Sequence, residues 1–185
     1  MGIYIVAVAA LLFLAFAYFA VGQAAVARNG AQTAADAAAL GAARTARDGV
    51  EADFLTALTA GDIDKLNDLL AGVGMNGDGA ACTAATTYAA DNHADRTNCD
   101  RVNNPPGYAV GVLTQGTVGN SVVAGTENMH AQARATAVVE SVCTAEDAGA
   151  SGVTFSCDSG TVTVDPTAVG FQLNLAEFYS VHLSG

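Results

Sequence analysis

The first 27 residues carry no charged side chain, and an alanine-rich, helix-forming segment follows them without a break. MGIYIVAVAALLFLAFAYFAVGQAAVA exceeds the roughly 20 apolar residues that a bilayer-spanning helix needs. The continuation RNGAQTAADAAALGAARTARD consists mostly of strong helix formers. One helix from residue 3 to residue 47 is about 65 Å long at ~1.5 Å per residue. That is too long for a simple anchor and too apolar for a helix in water. Its first half needs lipid, or the core of a polymer of like helices, around it. Ile3, Val6, Leu11, Leu12, Phe13, Phe16 and Phe19 are the large side chains of that half expected in a filament core.

Charge divides the chain in the same place. The formal net charge of −11 is uneven: residues 1–47 hold three arginines and one aspartate, a net +2, whereas residues 48–185 hold four basic and seventeen acidic residues, a net −13. An acidic second half disfavours nucleic-acid binding, which requires phosphates to be neutralised by Lys and Arg. It suits a solvated surface. The sequence therefore divides into an N-terminal transmembrane or filament-core helix, 1–47, and an exported head, 48–185.

The start does not follow the pattern of a secretory signal. No basic residue precedes the apolar run, which is about twice the length of a signal core. A cut at GQAA, residues 22–25, would discard the segment that flows into the helix. Either Met1 initiates a membrane protein, or a basic leader has been removed and Met1 is the mature N-terminus.

In the helix, Ala31, Ala34, Ala35, Ala38 and Ala42 form a narrow stripe that permits close helix approach. Ala24, Ala25, Ala31 and Ala35 are expected to face neighbouring helices. Gly22 and Asn29–Gly30 are its weak points, since Gly costs about 1 kcal/mol against Ala inside a helix. Arg28 is the first charge and Asp36 the first acid; both are expected to sit at the seam between membrane and head and to contact a neighbouring subunit. Residues 49–60 continue or restart the helix, with Phe54, Leu55 and Leu58 on its apolar side. Gly61 breaks it, Asp62 caps a short helix carrying Ile63, Leu66, Leu69 and Leu70, and 72–79 is a glycine-rich loop. Residues 80–94 read as a further helix with Cys82, Ala85, Tyr88 and Ala89 inward. Beyond Pro105–Pro106 the period changes to that of strands: 108–118, 131–142 (Ala133, Ala135, Ala137 and Val139 on one face), a hairpin of 153–157 and 161–164 around Asp158–Ser159–Gly160, and a last strand in 177–183. The expected fold is α+β: a long helix, then a small head of short helices and an antiparallel sheet.

Cys82, Cys99, Cys143 and Cys157 all follow the apolar run. An even number in an exported head points to two disulfides, for which three connectivities exist. Cys82–Cys99 and Cys143–Cys157 are preferred because each closes a short loop. A structural zinc site normally uses C-x2–4-C spacing, which is absent.

No metal, cofactor or catalytic constellation emerges. Gly72-Val-Gly74-Met-Asn-Gly77 matches a dinucleotide fingerprint but follows a helix instead of a strand. Asp62-x-Asp64 begins like a calcium loop, yet Asn67 occupies the position that requires Gly. His93, His130 and His182 have no paired spacing, and Asp91, His93 and Asp95 suit a capped helix end better than a chelate. There is no G-x-S-x-G elbow.

The segment FAYFAVGQAAVARNGAQTAADAAALGAA, residues 14–43, resembles the start of TadE/TadG-like proteins of the tight-adherence (Flp, type IVb) pilus system. Its hallmark is an apolar helix running into Gln32-Thr-Ala-Ala-Asp-Ala-Ala-Ala-Leu40. MGIYIVAVAALLF is similar to the mature start of a type IV pilin, and ACTAATTYAADNHADRTNC and GTVGNSVVAGTENMHAQARATAVVESVCT resemble actinobacterial heads of that group. The resemblance implies a structural, non-enzymatic pilin or minor pilin. Its implied partners are a membrane prepilin peptidase, the pilus assembly machinery and copies of itself in a helical polymer, with no cofactor and no nucleic acid. It implies residence in the cytoplasmic membrane before assembly and in an extracellular filament afterwards. The chain departs from many type IV pilins at the fifth residue, where Ile5 stands in place of Glu and no acid precedes Asp36. The rival readings are a monomeric membrane-anchored envelope protein that binds a partner, and an anchored extracellular enzyme.

Overall fold

The computed structural model describes residues 2–75, 77–117 and 128–184. Met1, the expected mature N-terminus, lies outside the described residues, as do Asn76 of the glycine-rich loop and Val118 of the expected strand 108–118.

Helix α1 spans Gly2–Asp48 without interruption. Neither Gly22 nor Asn29–Gly30 breaks it. After a two-residue turn, α2 (Glu51–Ala60) restarts the helix, and Gly61 ends it with φ +65°, a left-handed conformation that glycine adopts without a Cβ clash. Asp62 accepts a hydrogen bond from the Lys65 backbone N–H at 3.0 Å and so caps α3 (Ile63–Leu70). Helix α4 covers Asp78–Asp91.

Among the described residues, seven strands follow in two antiparallel sheets. β1 (Ala94–Asn103), β2 (Pro106–Thr117), β3 (His130–Ser141) and β7 (Tyr179–Leu183) form one sheet in the order β1-β2-β3-β7. β4 (Cys143–Gly149), β5 (Gly152–Cys157) and β6 (Gly160–Val164) form the other. The alternation in β3 is realised: Ala135 opposes Val110, Ala137 opposes Tyr108 and Val139 opposes Val181, and all but Val181 are buried. The β5–β6 hairpin is tighter than the sequence suggested. Cys157 pairs with Gly160, leaving Asp158 and Ser159 as a two-residue loop.

The core joins α1 to the rest of the chain. α1 packs against α4 and against β2, β3 and β7. Its stripe of Ala31, Ala34, Ala35, Ala38 and Ala42 is fully buried. This corrects the expectation that Ala31 and Ala35 face neighbouring helices: the small side chains let the chain's own sheet and α4 approach. Gly41 serves the same contact, because a Cβ there would run into the Tyr88 ring of α4. The head therefore begins within α1, well before residue 48. A second focus of the core is aromatic. Phe54 of α2 lies 5.1 Å from Phe178 and 6.2 Å from Phe155 of β5, centroid to centroid. Asn67 ties α3 to β4 by accepting from the Ala145 N–H (2.9 Å) and donating to its carbonyl (3.0 Å).

Cys82–Cys99 and Cys143–Cys157 are disulfide-bonded. The first joins α4 to β1. The second joins two paired positions of β4 and β5. Closing loops of 17 and 14 residues stabilises each by about 3 kcal/mol in the loop-entropy picture. Serine at both Cys143 and Cys157 should lower the unfolding free energy by about that amount in urea titration, and non-reducing peptide mapping of the parent should recover both links. An unchanged midpoint in the double variant would show that this bridge contributes nothing to the fold.

Candidate assembly and membrane surface

The side chains singled out for the apolar helix are displayed together. Ile3 is 78% exposed, Phe13 66% and Phe19 64%, and Val6, Leu11, Leu12 and Phe16 are exposed as well. The helix is long and apolar enough to cross a membrane, and no residue of its most apolar 18-residue stretch is buried. Large contiguous apolar surface of this kind marks contact with lipid or with another protein. Coverage by the head begins on one face: Ala17, Ala20, Gln23, Ala24 and Ala27 are half-buried, at helical spacing, while Ala25 stays exposed. Ala24 and Ala25 are thus the small side chains of the proposed contact set that remain accessible to a second copy.

The two seam charges occupy different surroundings. Arg28 is exposed beside Ala24, Ala25, Asn29 and Gln132, and makes no ion pair among the described residues. Asp36 is half-buried and accepts a hydrogen bond from Gln32 Nε2 at 2.7 Å. It borders a cleft of about 450 Å³ between α1 and the β3–β7 edge, lined also by Arg134, Thr136 and Ser184. Arg134 is itself paired with Asp100 of β1 at 3.1 Å.

The expected cap at the end of α4 is a tight turn into β1. His93 adopts φ 57°, and its carbonyl accepts from the Gln115 N–H of β2 at 2.9 Å. Among the described residues no group of three or more His, Cys, Asp or Glu side chains is placed to hold a metal ion. Two tyrosines that sequence reasoning passed over are buried in the head. Burial, reinforced by the Asp78 carboxylate that accepts the Tyr108 hydroxyl at 2.7 Å, raises the Tyr108 phenol far above its usual range. Tyr179 is shifted the same way by burial.

Residues 2–45 match the family model described as Flp pilus-assembly TadE/G-like. This N-terminal segment is TadE/G-like. The match covers the exposed apolar half of α1 and most of the alanine face buried in the head. The similarity to this Flp pilus-assembly family covers 44 of the 185 residues, and among the described residues one helix, starting at Gly2, is long and apolar enough to cross a membrane. No curated protein and no solved structure gives a significant match.

Proposed function

We propose that this chain is a structural subunit, a pilin or minor pilin, of an extracellular type IV/Tad-like pilus. Its apolar half-helix rests in the cytoplasmic membrane before assembly and packs with copies of itself in the filament afterwards. The observation that carries this reading is the exposed helix in front of a folded head, within a TadE/G-like segment. Moving such a helix from lipid into a protein core gains little from the hydrophobic effect, so close packing at small residues must supply the association. The accessibility of Ala24 and Ala25 supports their use as those small residues. By the same family link, a prepilin peptidase and the pilus assembly machinery are its processing partners, and the role is non-enzymatic. Electron microscopy of sheared cell-surface material, with immunogold against the head, tests the reading. Labelled filaments support it; a head antigen confined to membranes refutes it in favour of an anchored envelope protein.

Asp36 supplies a finer test. It lies at the mouth of the α1–β3 cleft, where a basic group of a neighbouring copy, Arg28 among them, can reach it. Asp36→Ala should reduce piliation several-fold, whereas Asp158→Ala in the β5–β6 loop should not. Equal piliation in the two variants, with equal head stability, would remove Asp36 from the subunit contact.

A further inference from the structure

The head descends alongside the apolar helix. Thr117, the last described residue of β2, borders an open cleft with Ala15, Tyr18, Phe19, Gly22 and Val26 of α1. It pairs with His130 at the start of β3. Measured along α1 at ~1.5 Å per residue, Ala15 stands about 20 Å and Val26 about 36 Å from Gly2. Thr117 therefore lies at roughly the height of one hydrocarbon thickness, ~30 Å, above the start of the helix. A helix whose first residues reach the far side of the bilayer brings the end of this hairpin to the near surface, and tilt brings it deeper.

The chemistry of the hairpin agrees with its position. From Val102 to Thr117, up to the last described residue of β2, the sequence has no charged side chain, in a head that carries seventeen acids; Glu127, the next acid after Asp100, lies outside the described residues. The described groups nearest the end are neutral or weakly polar: Thr114, Thr117, Met129, which is 56% exposed, and His130, whose Nδ1 lies 2.6 Å from the Thr114 carbonyl. Among the described residues, Asp95 accepts a hydrogen bond from Gln115 Nε2 at 3.0 Å. Tyr18, 86% exposed on α1 at the same height, is the residue type favoured at a membrane–water interface.

We propose that the end of the β2–β3 hairpin, at Thr117, Met129 and His130, is a bilayer-contacting surface that rests on the lipid headgroup region and sets how deeply α1 inserts. The inference rests on the membrane stage of the proposed function. It makes the embedded length shorter than the uncharged length: residues 2 to about 20 lie in hydrocarbon, and Val21 to Ala27 run beside the hairpin in the interface.

The chain contains no tryptophan, so single-tryptophan variants of the full chain report position without background. Phe13→Trp, Met129→Trp and Val162→Trp in phosphatidylcholine vesicles, brominated either near the acyl carbonyls or near the chain ends, separate the possibilities. Phe13→Trp should be strongly quenched. Met129→Trp should be quenched at least twofold more by the shallow bromines than by the deep ones, and Val162→Trp on β6 should not be quenched. Strong quenching at Phe13 with Met129 matching Val162 overturns the hairpin contact alone. Absence of quenching at Phe13 overturns it together with the membrane stage.

Discussion

Truncating Phe54 to alanine should destabilise the head by about 3–5 kcal/mol. The Phe54 ring is fully buried among Phe155, Phe178 and Tyr179. Phe155 and Phe178 also pack on each other at 4.8 Å, so the cluster cannot collapse freely into the space left behind. Its removal unpins α2 from both sheets at once. Thermal unfolding of the detergent-solubilised chain should show a midpoint lower by roughly 10 °C. Leu55→Ala, at the adjacent 40% exposed position, should stay within about 0.5 kcal/mol of the parent. Comparable losses in the two variants would mean that the aromatic cluster does not organise this core.

Phe13→Arg should have the opposite signature. Phe13 is 66% exposed and stands about 17 Å along the helix from Gly2, near the middle of a bilayer. A charged side chain there costs about 2.5–3.5 kcal/mol on insertion scales, or roughly a hundredfold in partitioning. The head should melt as in the parent, while the membrane-bound fraction and any surface filaments fall by about that factor. Retained membrane association would show that this half of α1 is not embedded.

Much of the architecture was legible because its signals are local. The apolar run and the alanine-rich continuation specified a helix over residues 3–47, against an observed Gly2–Asp48. Gly61 and Asp62 marked a stop and a start, and alternation in β3 marked a face. β1 was missed because ADRTNCDRVN is an edge strand with only its first residue buried, so it has no period to read. β4 was missed for a related reason: CTAEDAG buries only Cys143 and Ala145, and a bulge interrupts its pairing between Ala145 and Asp147. The Asn67–Ala145 bridge joins positions 78 residues apart and leaves no local trace.

The candidate surface was legible in a more limited way. Exposure of Ile3 through Phe19 was expected from the length of the uncharged run, which exceeds what a bilayer-spanning helix needs. The alanine stripe shows the limit of such reasoning. Small side chains at Ala31 and Ala35 announce that something approaches closely, but the sequence does not say what. The partner is the chain's own sheet and α4. The height of the β2–β3 hairpin beside Phe19 depends on how the sheet docks on α1, which no motif encodes.

Cryo-electron microscopy of filaments sheared from the cell surface tests the central claim most directly. The account predicts a core built from residues 3–27 of many copies, with Phe13, Phe16 and Phe19 buried between helices, Ala24 and Ala25 at the closest approaches, and the disulfide-bonded heads outside. A structure of the native protein in which residues 3–27 remain in lipid or detergent, with no helix-to-helix contact between copies, would contradict it.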